Sequence, residues 1–244
     1  MKNLFGSMGI AGGFLAASLM GPAVMANSMI VLYQGPYSYG DGGEFTAMTS
    51  GSPSLVNLGE YSPYTGTANS FQTFCVQTAV DFAPGVTYNY AASLDSLGST
   101  GYPAPNTTLG TPDSFPLAEG TAWLYSQFAR GTLQGYDFSN ASGQRWADAG
   151  ELQAAIWYLQ GNQPEPYLAG GPGNVYYAEA VAALGANVDA NATLSTDFGV
   201  EILNLNSGPN ANNQNQLGLV PDGGATLMLI GSSLAGLAWL RRKI

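Results

Sequence analysis

The chain closes on an uncharged, mostly apolar run of 16 residues, 225–240, and a basic cluster follows it directly. The run is slightly shorter than the roughly 17–25 residues that a membrane-spanning helix usually needs. The cluster consists of Arg241, Arg242 and Lys243, and basic residues favour the cytoplasmic end of a span. The tail therefore predicts a transmembrane helix with its basic end in the cytoplasm, separate from the rest of the chain.

The first 26 residues have the pattern of an export signal. Lys2 supplies a basic start, and an apolar stretch of small residues follows it. Val24 and Ala26 are small residues three and one before a cleavage point, as signal peptidase requires. We therefore predict export and cleavage after Ala26, and the alternative is a buried N-terminal helix.

A short motif precedes the apolar tail and makes it more specific than a general membrane anchor. It consists of Val220, Pro221, Asp222, Gly223 and Gly224. Motif, apolar run and basic cluster in this order resemble the PEP-CTERM sorting signals, in the VPDSG-type variant. Gly223 stands where that variant often has Ser.

This resemblance implies recognition by an exosortase, a membrane enzyme similar to transpeptidases, in a Gram-negative bacterium that makes exopolysaccharide. The chain would be anchored in the inner membrane through its C-terminal helix before processing, and would then reach the cell surface or extracellular matrix. The expected export partners are therefore signal peptidase, the exosortase and the membrane itself.

Composition excludes several classes of function. The 244 residues carry a net charge of −10, with no His and a single Cys. Without His there is no Ser-His-Asp triad, Cys-His dyad or His-ligated zinc or haem. One Cys forms neither an internal disulfide nor a Cys-rich metal site, so we expect no metal and no cofactor. Residues 27–220 hold 15 acids and 2 bases, so nothing neutralises phosphates and we expect no nucleic-acid partner.

The body between the two ends changes from strand-type to helix-type segments and back. β-Branched and aromatic residues with Gly, Pro and Asn between them predict strands at 29–33, 44–48, 70–76 and 86–92. Helices are predicted at 114–129, at 149–160 and near 174–184, and strands return at 199–205 and 216–220. Asp148 is the expected cap of the second helix, with Glu151 completing a capping box.

The order of these segments predicts an α+β fold. Specifically, we expect a β-sandwich or barrel-like unit that includes strand 199–205, with a block of helices packed on one side or end. The predicted domains are a signal peptide 1–26, the α+β body 27–206, a terminal strand or linker 207–219, and the sorting signal 220–244.

One predicted strand and one predicted helix of the body carry candidate reactive residues. Cys75 lies between Phe74 and Val76 in the strand 70–76. In the second helix an apolar stripe at i, i+3, i+4 and i+7 predicts the buried face: Leu152, Ala155, Ile156 and Leu159. Gln153 and Trp157 are four residues apart and lie beside each other at the edge of that face. A partly buried amide there needs a hydrogen-bond partner.

These two segments resemble the bacterial thioester domain of surface adhesins. The sequence FCV at 74–76 matches its cysteine motif, and LQAAIW at 152–157 matches its glutamine motif. Cys75 and Gln153 are 78 positions apart. The family often has an acid where this chain has Gln77, and Thr where it has Leu152. The resemblance implies an internal thioester between Cys75 and Gln153.

In this interpretation Phe74 and Trp157 shield the bond until the amine or hydroxyl of a partner attacks it. The reaction happens once, so the protein is not expected to be an enzyme. The sequence thus predicts an exported bacterial cell-surface or matrix protein acting as a covalent adhesin. Two alternatives stay open: a non-reactive structural or polysaccharide-binding matrix protein, and a secreted hydrolase that uses two carboxylates. A lone Cys between apolar residues is commonly a small buried hydrophobe.

Overall fold

The structure is a computed structural model that describes residues 28–39, 42–50, 70–78, 80–97, 114–139, 143–161, 170–206 and 213–220. Several sequence predictions lie outside these ranges: the signal peptide with Ala26, motif residues 221–224, the apolar run 225–240 and its basic cluster. Within the described ranges, no helix combines the length and apolar character that a membrane crossing requires.

The described residues form strands first, then helices, then strands again. The strands are β1 Ser28–Tyr39, β2 Gly42–Ser50, β3 Ser70–Thr73, β4 Thr87–Ser93, β5 Asp95–Leu97, β6 Ser114–Pro116, β7 Val200–Asn206 and β8 Gln216–Leu219. The α-helices are α1 Glu119–Ala129, α2 Gln144–Leu159 and α3 Val175–Leu184. This order agrees with the predicted α+β class.

Six strands form one antiparallel sheet in the order β3-β2-β1-β4-β7-β8. The segment just after β3 returns to β8: the amide of Leu217 donates to the carbonyl of Phe74 at 3.0 Å, and that of Val76 donates to Asn215 at 3.0 Å. The two ends of the sheet therefore meet, and the sheet forms a nearly closed barrel. Of the two β arrangements predicted from sequence, the barrel-like one is observed. The predicted pairing of the early strands with strand 199–205 is also observed, through β4 and β7.

Alternation along the strands divides the buried apolar residues into two clusters. In β7, Val200 and Ile202 belong to the larger one, and Leu203 and Leu205 belong to the smaller one. Successive strand residues point to opposite faces, so each β strand can serve both clusters. We call the larger one the helix cluster, because α1, α2 and α3 contribute to it. The smaller one is the barrel cluster, and it comprises Met29, Val31, Phe45, Ala47, Phe71, Cys75, Phe82, Tyr88, Tyr90, Trp157, Leu203 and Leu205.

Helix α2 lies between the two clusters and packs on β1 and β2. Its predicted apolar stripe is buried in the helix cluster, with exposed fractions of 0–7% for Leu152, Ala155, Ile156 and Leu159. The prediction for this face is therefore confirmed. On another side of the same helix, Trp157 enters the barrel cluster. Because both sides are covered, α2 is more deeply buried than an ordinary surface helix.

Two helix starts were predicted wrongly. Helix α1 begins at Glu119 rather than at 114, because Ser114–Pro116 pairs with Asp95–Leu97 as the small sheet β5-β6. Helix α2 begins at Gln144 rather than after Asp148. Asp148 is buried inside the helix, where its carboxylate accepts hydrogen bonds from the backbone amide of Asp137 and the side chain of Gln144, each at 2.8 Å. Its carboxylate serves the preceding loop, so it is not a helix cap.

The third helix was predicted correctly. The side chain of Asn174 accepts hydrogen bonds from the amides of Tyr176 at 2.9 Å and Tyr177 at 3.1 Å, which makes it the N-cap of α3. Asn is among the preferred residues at this position because its side-chain oxygen satisfies amides that have no partner within the helix.

Candidate functional site

Cys75 lies where the barrel nearly closes. It follows β3 and forms an isolated antiparallel bridge with Gln216 of β8. Its side chain is fully buried in the barrel cluster. The neighbours Phe74 and Val76 point to the opposite face and belong to the helix cluster, where Phe74 packs edge-on against Phe128 with ring centroids 4.9 Å apart. Of the two predicted shielding aromatics, Trp157 is the one that shares a cluster with Cys75.

Helix α2 brings Gln153 directly to Cys75. The side-chain oxygen Oε1 of Gln153 is 3.2 Å from Cys75 Sγ and 3.2 Å from the Cys75 backbone nitrogen. The side-chain nitrogen Nε2 donates to the Cys75 carbonyl at 2.7 Å. The sequence predicted that these two residues meet between the β unit and the helices, and they do. Gln153 is only 1% exposed, so it is buried rather than at the edge of the core.

Gly42 at the start of β2 allows α2 to come this close. A Cβ atom on Gly42 would lie 2.6 Å from Cη2 of Trp157 and 2.7 Å from Cγ of Gln153. Both distances are shorter than carbon atoms tolerate, so any larger residue would push on the two side chains of the site. Gly42 lies before the strand predicted at 44–48, and the sequence gave no indication of this contact.

A buried ion pair fixes α2 against β2 two helical turns before Gln153. Arg145 donates from Nε to Glu44 Oε1 at 2.8 Å and from Nη2 to Glu44 Oε2 at 2.7 Å, and both side chains are fully buried. Arg145 also donates to the carbonyl of Phe138 at 3.0 Å and lies 4.6 Å from the ring centre of Tyr37. The Tyr136 hydroxyl donates to Glu44 Oε1. Two parallel bonds give this pair a defined orientation.

The charge states in this cluster follow from burial and from the ion pair. Burial lowers the pKa of the Arg145 guanidinium, but the hydrogen bonds and charge of Glu44 outweigh burial and raise it above its ordinary value. Burial and then the charge of Glu44 raise the pKa of the Tyr136 hydroxyl well above 10.0. Tyr136 therefore remains a neutral donor at physiological pH.

Sequence reasoning did not find this cluster. Its one signal was that Arg145 is one of only two basic residues in 27–220, and Arg145 precedes the helix predicted at 149–160. Glu44 is 101 positions away from Arg145, and no local pattern connects the two.

Gln77, where the thioester family often has an acid, has a structural role here. It is 1% exposed, and its Oε1 accepts from the backbone amide of Asn215 at 2.7 Å. Gln214 donates in turn to the Gln77 carbonyl at 2.8 Å, and Asn215 donates to Ser96 at 2.8 Å and to Asn204 at 2.9 Å. This buried amide network attaches the segment before β8 to the segment after β3 that carries Cys75. It thereby holds the barrel together beside the site.

Two buried polar atoms at the site have no hydrogen-bond partner among the residues that the structure describes. They are Nε1 of Trp157 and Oε1 of Gln216. Buried polar atoms of this kind are rare in folded proteins and need a reason. The described ranges contain no group of three or more acidic or cysteine side chains that could hold a metal ion.

Comparison with known proteins identifies the tail. Residues 220–244 match the family model described as the VPDSG-CTERM motif. No curated protein and no solved structure matches the chain significantly. The match supports the predicted PEP-CTERM-type sorting signal and indicates an exported protein that an exosortase processes and that is sorted to the cell surface. It covers the sorting motif, the apolar run and the basic cluster, and begins one residue after the end of β8.

Proposed function

We propose that this surface-sorted protein attaches covalently to a partner through an internal thioester between Cys75 and Gln153. The observation that supports it most strongly is the 3.2 Å distance from Cys75 Sγ to Gln153 Oε1, in a pair that is almost fully buried. Reacting groups must be held near contact for such a reaction, because proximity removes much of the entropic barrier. The partner is a surface protein amine or a hydroxyl of the surrounding exopolysaccharide.

The proposed bond formation balances without any cofactor. The sulfur of Cys75 attacks the side-chain carbonyl carbon of Gln153, so that a carbon–sulfur bond forms and the carbon–nitrogen bond breaks. The thiol proton passes to the departing nitrogen, which leaves as ammonia. Negative charge develops on Oε1 during the attack, and the backbone N–H of Cys75 already points at that oxygen. A donor placed where charge develops stabilises the transition state.

The surroundings favour survival of a thioester once it has formed. Water hydrolyses thioesters, and both residues are at most 1% exposed, with Trp157 at 5% beside them. The sequence has Lys only at positions 2 and 243, so no lysine of the body is present to attack the bond from within. The partner's nucleophile therefore has no internal lysine as a competitor. Since the bond is used once, the protein is not an enzyme.

Intact mass and amine labelling test this proposal. The folded protein should be lighter than its sequence by one ammonia, and methylamine should add covalently, leaving an N-methyl amide on Gln153 and a chain heavier than its sequence by one CH2 group. Cys75→Ala and Gln153→Ala should each abolish labelling. Gln160→Ala is the matched control, because Gln160 is another buried glutamine at the end of α2 whose partners are the backbone of Ala118 and Pro116. Labelling should persist in that variant.

A non-reactive matrix protein is the second candidate, and one observation favours it. The Gln153 amide is satisfied by the backbone N–H and carbonyl of Cys75, which is how a purely structural amide would be bound. A parent protein of full mass that methylamine does not label would decide for this candidate and against the thioester.

A further inference from the structure

Gln216 is the side chain placed directly across the barrel closure from Cys75. The two residues are partners in an antiparallel bridge, and residues opposite each other in such a pair have their side chains on the same face. Gln216 is fully buried. Its Nε2 donates to the carbonyl of Gln214 at 3.2 Å, while its Oε1 has no partner among the described residues. Among the described residues, the site thus contains a buried hydrogen-bond acceptor to which no group donates.

The proposed thioester reaction creates a need for such an acceptor. The resting Nε2 of Gln153 has two N–H groups, and one of them donates to the Cys75 carbonyl. To leave as ammonia, this nitrogen must take up the thiol proton, and it then carries an additional N–H. In a site closed to water, that added N–H has to be received by the protein, since an unpaired donor in a buried place is costly.

We propose that the side-chain carbonyl of Gln216 accepts this N–H and is a further catalytic residue of the site, an inference that rests on the proposed thioester. The same group serves the reverse direction. An amine that attacks the thioester passes through an equivalent protonated nitrogen, gives one proton to the Cys75 sulfur and keeps an N–H for Gln216. A thiolate that attacks the thioester brings no N–H, so Gln216 does not assist it.

This difference between nucleophiles gives the test. Full-length protein is treated in parallel with methylamine and with mercaptoethanol, and the opening of the thioester is followed by intact mass. Gln216→Met keeps the length of the side chain and removes the acceptor. It should lower the amine-to-thiol rate ratio by about tenfold, the factor expected for one hydrogen bond of ordinary net strength. Gln216→Leu repeats the test if the Met variant is not recovered folded.

A control variant separates catalysis from folding. Gln72→Met changes another buried glutamine of the sheet, one that bonds to Thr46 instead, and it should leave the ratio unchanged. Equal loss of both rates in Gln216→Met, or an unchanged ratio, overturns this role of Gln216 alone. A parent that neither loses ammonia nor reacts with either nucleophile overturns the proposed thioester, and this inference with it.

Discussion

The buried ion pair between Glu44 and Arg145 allows the most quantitative prediction from this structure. Glu44→Gln preserves the shape of the side chain but removes its charge and one of its acceptor oxygens. Arg145 would remain buried with its guanidinium charged, and its described contacts with the Phe138 carbonyl, the Tyr37 ring and the neutral Tyr136 hydroxyl carry no full negative charge to replace that of Glu44.

The expected cost follows from the burial of both partners. Removing one partner of a fully buried, bidentate pair typically costs about 3–5 kcal/mol, since the other charge stays without compensation. A domain of this size has a total stability of about 5–15 kcal/mol. Glu44→Gln should therefore remove a large share of the free energy of unfolding. It should also loosen α2 upstream of Gln153.

Urea unfolding followed by tryptophan fluorescence measures this cost, and a double variant checks its origin. Glu44→Leu combined with Arg145→Met removes both charges, so no uncompensated charge remains. The double variant should be more stable than Glu44→Gln by at least about 2 kcal/mol, although in the double variant Tyr136 loses its acceptor at position 44. If Glu44→Gln costs less than about 1 kcal/mol, or if the double variant is the less stable of the two, then α2 is not held by this ion pair.

Two more predictions concern packing and pH. Gly42→Ala places a Cβ 2.6 Å from Trp157 and 2.7 Å from Gln153, so it should lower the free energy of unfolding by about 1–3 kcal/mol and slow thioester formation. In Gly143→Ala the new Cβ meets nothing within 4 Å, so this control should change neither quantity, and equal effects of the two variants would refute the contact. Burial and then the charge of Asp197 raise the pKa of Glu201 above 4.5, so the folded state favours the protonated carboxyl. The stability that Glu201 contributes is therefore fully present below pH 4.5 and is lost as pH rises through the raised pKa. Glu201→Gln should therefore be more stable than the parent at pH 7 in thermal unfolding, with the advantage shrinking towards pH 4; an advantage that grows on acidification would contradict this sign.

The sequence was most informative where a feature repeats over several neighbouring residues. Runs of β-branched and aromatic residues bounded by Gly, Pro and Asn located the strands, and the helical stripe of α2 located its buried face. Helix starts were less predictable, since Ser114–Pro116 has a partner strand at Asp95–Leu97 that no local pattern reveals. Asp148 resembles a helix cap in sequence, but the preceding loop folds back and uses its carboxylate.

The residues of the site likewise fall into those that local motifs predict and those that only contacts between distant segments define. Cys75 and Gln153 were found through two short motifs that resemble those of the thioester domain, and this resemblance was the basis for predicting that they meet. Glu44, Gly42 and Gln216 were not found, because each acts on the site through a contact between segments far apart in the chain. The one local signal for Gln216 was a polar residue at the start of an otherwise apolar strand.

The attachments of α2 indicate what the fold would undergo in the proposed reaction. The helix is held near its start by Arg145, in the middle by Gln153 and at its end by Gln160, which bonds to the backbone before α1. A thioester would close a loop of 78 residues between Cys75 and Gln153, and a cross-link of that span stabilises a chain by about 4.5 kcal/mol in the loop-entropy estimate used for disulfides. Attack by a partner would remove this cross-link. The ion pair and Gln160 would remain in place, so the body would stay folded while Gln153 carries the partner.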